Sequence, residues 1–189
     1  MQRQLVWMAV AAALSSGAAL GKECKGVNFP DQTTVDGTAL TLNGLGLRQA
    51  TAFKVNVYVG ALYVTRTSSD GNAILGSGAP YEVILHFVRD VGAGDLAKGW
   101  DEAFEKNAKG QLPALRERIA TLNGWMADMK SGQRIVYTFK PGAGVQVSVN
   151  GATKGPIKGD DFGRALLSIW LGDPPNPEIK AGLLGGACG

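Results

Sequence analysis

The sequence predicts an α+β fold, because strand and helix patterns occur in separate groups along the chain. Strand patterns come first, two amphipathic helices follow, a pair of strands comes next, and two helices close the chain. This grouping is typical of α+β proteins, whereas a parallel sheet needs strands and helices in regular alternation. Neither an internal repeat nor an interdomain linker is visible, so we expect one domain over residues 22–189.

Residues 1–21 have the three parts of a signal peptide. Arg3 supplies a basic start, residues 5–14 form an apolar stretch, and residues 19–21 offer small residues for a cleavage site. An uncleaved membrane anchor is the alternative, but an anchor needs a longer and more apolar segment. We therefore expect a secreted or periplasmic protein that is cleaved near Gly21.

The first half of the mature chain is rich in strand patterns. Residues 33–42 predict a hairpin, because the Asp-Gly pair at its centre favours the positive φ of tight turns. A glycine turn is expected at residues 43–44, and the β-branched and aromatic residues that follow, up to residue 65, predict one long strand. Gly60 is expected to form a bulge or bend within that strand.

The remaining patterns predict a central strand, a helical layer and a hairpin pair. Residues 81–88 are apolar on both faces, as in a strand that is covered on both sides. Apolar residues recur every three to four positions in the helices, and an Asn-Gly pair at residues 150–151 is a strong hairpin signal. The predicted helical segments are 72–75, 93–108, 112–126, 160–171 and 177–185, and the predicted later strands are 134–140 and 145–150.

Charge and composition argue against several classes of function. Without Arg3, 18 basic residues face 16 acidic ones and form no basic cluster, so neither nucleic acid nor a charged membrane surface is an expected partner. His86 is the only histidine, which argues against a metal site and against a Ser-His-acid triad. No phosphate-binding glycine motif is complete, so no cofactor is predicted. Arg89 and Asp90 are expected to form an ion pair or a helix cap.

The two cysteines lie near the two ends of the mature chain. Paired cysteines in an exported protein favour a disulfide, and the termini of a domain are often close together. We therefore predict a bond between Cys24 and Cys188. Two independent free thiols are the alternative.

Arg48 and Tyr58 form the candidate binding site. A guanidinium group and a phenol both donate hydrogen bonds to oxygen anions, so together they could hold a ligand carboxylate. The alternative is that Arg48 is a solvated residue of a turn.

Three segments carry a resemblance to a known family: GLGLR followed by FKVNVYVGALYV at residues 44–48 and 53–64, LHFVRDV at residues 85–91, and GDDFGRALLSIWLGD at residues 159–173. In this order they resemble the chalcone isomerase-like family, in particular its bacterial secreted branch. With the hairpins between them, the resemblance extends over residues 27–184. It implies the chalcone isomerase fold, a large antiparallel sheet with helices on one face and a ligand cleft between the two layers.

The resemblance also implies a function. In plant chalcone isomerases the arginine after the glycine turn helps to stabilise the substrate phenolate, and in the related fatty-acid-binding proteins an arginine and a tyrosine hold a carboxylate. Arg48 and Tyr58 match the second arrangement. Residues 96–126 contain no tyrosine, and Ile169 stands where the isomerases carry a serine or threonine, so donors for flavanone formation are missing.

The expected function is therefore non-catalytic binding of a small apolar carboxylate, such as a fatty acid, by a monomer. Two alternatives stay open at this point. The protein could be an intramolecular lyase that acts on a chalcone-like substrate, or a structural envelope protein with a closed core.

Overall fold

A seven-stranded antiparallel sheet forms the centre of the protein. The computed structural model describes residues 21–50 and 53–189. The seven strands lie side by side in chain order, and each is antiparallel to its neighbours. Each connection therefore joins two strands that are adjacent in the sheet. They are β3 (Gln32–Val35), β4 (Thr38–Ala50), β5 (Val55–Val64), β6 (Tyr81–Phe87), β7 (Arg134–Lys140), β8 (Gly144–Val149) and β9 (Ala152–Ile157).

Helices cover one face of this sheet. The helices are α1 (Gly71–Gly76), α2 (Ala93–Ala108), α3 (Leu112–Gly124), α4 (Asp160–Leu171) and α5 (Pro177–Leu183). Their apolar stripes and the facing side chains of β5 to β8 form the larger hydrophobic core, in which Phe104, Tyr137, Phe162 and Trp170 are fully buried. The predicted α+β architecture with helices on one face is confirmed.

A short N-terminal hairpin covers the opposite face and was not predicted from the sequence. It consists of β1 (Gly21–Cys24) and β2 (Val27–Pro30), and its Phe29 is 1% exposed. The Phe29 ring packs edge-on against His86 and under the guanidinium of Arg134, which donates from Nε to His86 Nδ1 over 2.9 Å. His86 is therefore a structural residue on the face of the sheet that the helices do not cover.

The predicted disulfide is present. Cys24 of the N-terminal hairpin is bonded to Cys188, so the two ends of the described chain are joined. The bond holds the hairpin and the segment after α5 against the same side of the molecule.

Three predictions within residues 43–65 were wrong. The segment forms two antiparallel strands, β4 and β5, in place of one, and residues 43–44 lie inside β4 as a bulge in place of a turn. Gly60 is an ordinary ladder residue opposite Gly46, so it forms no bulge. A second bulge lies between the Arg48–Tyr58 and Gln49–Asn56 pairs.

The two glycines of the GLGLR motif allow α5 to lie directly on β4. A Cβ atom at Gly44 would overlap backbone carbonyl groups at the end of α5, and one at Gly46 would overlap the carbonyl of Ile179. Only a residue without a side chain permits such a close approach of two backbones. The motif therefore places α5 beside the strand that carries Arg48.

Residues 1–20, which hold nearly all of the predicted signal peptide, lie outside the described residues. Within the part that is described, no helix combines the length and the apolar character that crossing a membrane requires.

Candidate functional site

A cleft of about 480 Å³ opens where the ends of β4 and β5 meet α2 and the end of α4. This volume is within the range that small-molecule sites in proteins usually have. Arg48 and Tyr58, the two residues singled out in the sequence, both line it. The other lining residues are Ala50, Val57, Arg89, Asp90, Val91, Gly92, Asp95, Leu96, Gly99, Trp100, Glu102, Ala103, Lys106, Ile169, Asp173 and Pro175.

A β-bulge shapes the strand side of the cleft. Arg48 and Tyr58 are direct cross-strand partners, so their side chains leave the sheet on the same face. Gln49 then pairs with Asn56, which leaves Val57 as the extra residue of β5. A bulge re-aims the side chains beside it. Val57 and Tyr58 therefore both line the cleft, although neighbouring residues of a regular strand point to opposite faces.

Arg48 carries a positive charge that no described residue neutralises by an ion pair. Arg48 is half-buried and lies within strand β4, so it is not the solvated turn residue that the sequence left open. Among the residues that the structure describes, its guanidinium has neither a hydrogen-bond partner nor an ion-pair partner. A guanidinium group carries five N–H donors. It can therefore donate two parallel hydrogen bonds to one carboxylate without giving up a hydrogen bond to any described residue.

Tyr58 offers a hydroxyl proton at the inner end of the cleft. Its oxygen accepts a hydrogen bond from Trp170 Nε1 over 3.0 Å, and both side chains are buried. Burial raises the pKa of the phenol, while the Trp170 hydrogen bond and the nearby Arg48 charge act in the opposite direction. The phenol is therefore neutral at physiological pH, and no described residue accepts its proton. That proton can be donated to a ligand.

Apolar and aromatic side chains form the remaining wall. Leu96 and Trp100 come from α2, and Ile169 comes from α4. Behind them the interior is filled, because the rings of Trp100 and Trp170 meet at 5.9 Å between centroids and both contact Tyr137. The cleft is thus a surface groove with an apolar wall that ends at an aromatic cluster.

The charges at the mouth are unevenly distributed. Lys106 of α2 pairs with Asp173 over 2.9 Å and Lys98 pairs with Glu102 over 3.8 Å, so Asp95 is the lining carboxylate of α2 without an ion-pair partner among the described residues. A ligand anion is repelled by Asp95 and attracted by Arg48 and Arg89, so its headgroup should lie on the strand side.

The predicted contact between Arg89 and Asp90 was wrong. Asp90 pairs with Lys130 over 2.8 Å and accepts the Ser131 backbone N–H, and these two contacts hold the pKa of its carboxyl below the usual range. Arg89 stays exposed at the mouth of the cleft, with no ion-pair partner among the described residues.

Charged side chains supply most of the polar groups of the cleft lining, and its carboxylates are those of Asp90, Asp95, Glu102 and Asp173. His86 lies on the other face of the sheet, and the described lining residues include no histidine, cysteine, serine or threonine. Across the described residues there is also no group of three side chains that could hold a metal ion. The arrangement is suited to holding an anion with an apolar body.

Sequence reasoning identified the two polar residues but missed their surroundings. Nothing in the sequence signals that the indole N–H of Trp170 donates to the Tyr58 hydroxyl. Trp170 belongs to α4, and its indole reaches the Tyr58 hydroxyl only after α4 has packed on the sheet.

Comparisons with known proteins show the family and the fold of the chain. A family model described as chalcone isomerase-like matches residues 21–185. Among solved structures, the chain resembles the fatty-acid binding protein AtFAP1 of Arabidopsis thaliana at 15% sequence identity and a TM-score of 0.64, over 87% of this chain and 95% of that chain. A search of curated proteins finds no match. The structural likeness shows a shared fold.

Proposed function

Because the chain belongs to the chalcone isomerase-like family, we propose that it is a non-catalytic binding protein for a small apolar carboxylate such as a fatty acid. The observation that carries this proposal is that the Arg48 guanidinium and the Tyr58 hydroxyl, two donors without an acceptor among the described residues, line one cleft that has an apolar wall. A single carboxylate satisfies both donors. The fatty-acid binding described for the Arabidopsis protein of the same fold supports the choice of ligand.

The lyase alternative has less support. Cyclisation of a chalcone develops charge on oxygen, and enzymes stabilise such charge with several fixed donors. In the cleft, Tyr58 supplies the hydroxyl contributed by the described residues, and the family resemblance places Ile169 where the isomerases carry a hydroxyl. A binding role needs fewer donors than this reaction does.

We further propose that the protein works outside the cytoplasm after removal of residues 1–21. The disulfide between Cys24 and Cys188 supports this location, because disulfides persist in oxidising compartments.

The decisive test compares ligand retention in the wild type and in Arg48→Ala. The protein is exported to the periplasm, purified, and analysed by native mass spectrometry, and the bound material is extracted and identified. Titration of stripped protein with dodecanoate then gives the dissociation constant. A hydrogen bond to a charged group contributes about 1.5–3 kcal/mol, so Arg48→Ala should weaken binding by about tenfold to a hundredfold.

Arg116→Ala is the matched control, because Arg116 is an exposed arginine of α3 outside the cleft. It should bind dodecanoate as the wild type does. Equal affinity of Arg48→Ala and Arg116→Ala would contradict the proposed site. A protein that carries no ligand and binds no dodecanoate would contradict the proposed function and make a chalcone-cyclisation assay the next measurement.

A further inference from the structure

Asn176 lies at the start of α5, where an asparagine normally caps its own helix. Here its side chain makes no capping hydrogen bond to α5. The amide instead reaches across to β4, although capping side chains usually accept from the second or third residue of their helix. A helix-cap residue that bonds a neighbouring strand has a role in positioning that strand.

Two contacts of the Asn176 amide lie on either side of Arg48 along β4. Asn176 Nδ2 donates to the carbonyl of Leu47 over 3.1 Å, and the backbone N–H of Gln49 donates to Asn176 Oδ1 over 3.1 Å. These groups belong to the peptide units directly before and after Arg48. An amide side chain presents a donor and an acceptor side by side, so it can replace the backbone of a neighbouring strand.

This replacement occurs where the sheet gives Arg48 the least support. On one side, β3 pairs with β4 only from Thr38 to Thr41, so no strand of the described sheet reaches Leu47 or Gln49 from that side. On the other side, the bulge interrupts the ladder between Arg48 and Gln49. Asn176 therefore supplies the backbone contacts that a regular sheet would provide.

A third contact fixes the orientation of the amide. Asn176 Nδ2 also donates to Glu178 Oε2 over 3.2 Å, and Glu178 is held in turn by Lys54 at 3.5 Å. A flipped amide would place its oxygen against the Glu178 carboxylate and the Leu47 carbonyl, and its nitrogen against the Gln49 N–H. All contacts thus agree on one orientation, which is the criterion for assigning an amide.

We propose that Asn176 is a positioning residue that sets the direction in which Arg48 enters the cleft. This inference rests on the proposed function, since its consequence for binding requires that Arg48 holds the ligand anion. The backbone contacts of Asn176 fix the peptide units on both sides of Arg48, and with them the direction of its Cα–Cβ bond and the rotamers that its side chain can adopt on the way into the cleft. The lining residue Pro175 directly precedes Asn176 and connects this contact to the cleft.

The experiment measures the mobility of Arg48 and the recognition of the ligand in Asn176→Ala. Mobility is followed in the free protein by the ¹H–¹⁵N heteronuclear NOE of the Arg48 Nε–Hε group, with Arg116 as the internal reference. Recognition is followed with dodecanoate and dodecan-1-ol, which share a tail but differ in charge. Asp70→Ala is the matched control, because it removes a side-chain bond to the backbone at the start of α1, away from the cleft.

We expect Asn176→Ala to lower the Arg48 NOE and to weaken dodecanoate binding by about fivefold, within the range of coupling between contacting residues. The affinity for dodecan-1-ol should stay within about twofold, because the apolar wall is unchanged. In an Arg48→Ala background, Asn176→Ala should have no further effect on dodecanoate. Asp70→Ala should change neither ligand.

Three results would overturn the inference: an unchanged Arg48 NOE, an equal loss of affinity for the acid and the alcohol, or a loss that persists in the Arg48→Ala background. The last two would show that Asn176 supports the fold and not the arginine. If Arg48→Ala itself leaves dodecanoate binding intact, the proposed function fails, while the NOE measurement still decides whether Asn176 positions Arg48.

Discussion

Removing the hydroxyl of Tyr58 should destabilise the protein, whereas removing the hydroxyl of nearby Tyr137 should not. Both side chains are buried, and each Tyr→Phe change deletes a single oxygen atom. The Tyr58 oxygen accepts from Trp170 Nε1, so Tyr58→Phe leaves a buried indole N–H without a partner. Such a group costs about 1–3 kcal/mol. The Tyr137 hydroxyl has no partner among the described residues, so its loss breaks no hydrogen bond.

Urea unfolding of the ligand-free, disulfide-intact proteins measures this difference. For a chain of this size we take a slope of about 2 kcal/mol per molar urea, so Tyr58→Phe should lower the midpoint by about 0.5–1.5 M. Tyr137→Phe should leave the free energy of unfolding unchanged or raise it by about 1 kcal/mol, because a buried polar group without a partner is replaced by an apolar one. Equal destabilisation by the two changes would refute the reasoning.

Three further predictions concern other parts of the fold. The pKa of His86 is lowered by burial and then by Arg134, so the folded state binds its proton less readily than the unfolded state. The neutral form of His86 contributes its full stabilisation above about pH 6.5, and this stabilisation is lost as the pH falls below that value. Between pH 8 and pH 5 the urea midpoint should therefore decline less in His86→Gln than in the wild type. Gly46→Ala should displace α5, because the added methyl group overlaps the Ile179 carbonyl, and amide hydrogen exchange in α5 should speed up while that of α3 stays the same. Reducing the disulfide should lower the free energy of unfolding by up to about 4–5 kcal/mol in the loop-entropy model, and an unchanged urea midpoint under reducing conditions would contradict this estimate.

Most secondary-structure elements could be predicted because their patterns are local. The bounds of α2, α4 and β7 agree with the sequence periodicity, since an apolar stripe or strict alternation is visible within each segment. The N-terminal hairpin β1–β2 could not be predicted in this way. It has few residues, and its Phe29 is buried only because the far face of the sheet is present.

The error at residues 43–44 has a similar cause. An Asn-Gly pair favours a turn when only local conformation is considered. Here the Asn43 side chain is buried and bonds the backbone of Ser68 and Leu183, and the glycine makes room for α5. These distant contacts keep the segment in the strand as a bulge.

The sequence by itself determined the α+β class, helices α2 to α5, the disulfide and the two polar residues that later line the cleft. Periodicity, paired cysteines and a motif are properties of the chain that need no knowledge of distant contacts. Only the tertiary structure decided that Arg48 lies opposite Tyr58 beside a bulge, and that Trp170 and Asn176 support them. The contacts of Trp170 and Asn176 join residues more than 100 positions apart, so they exist only after the helices have packed on the sheet.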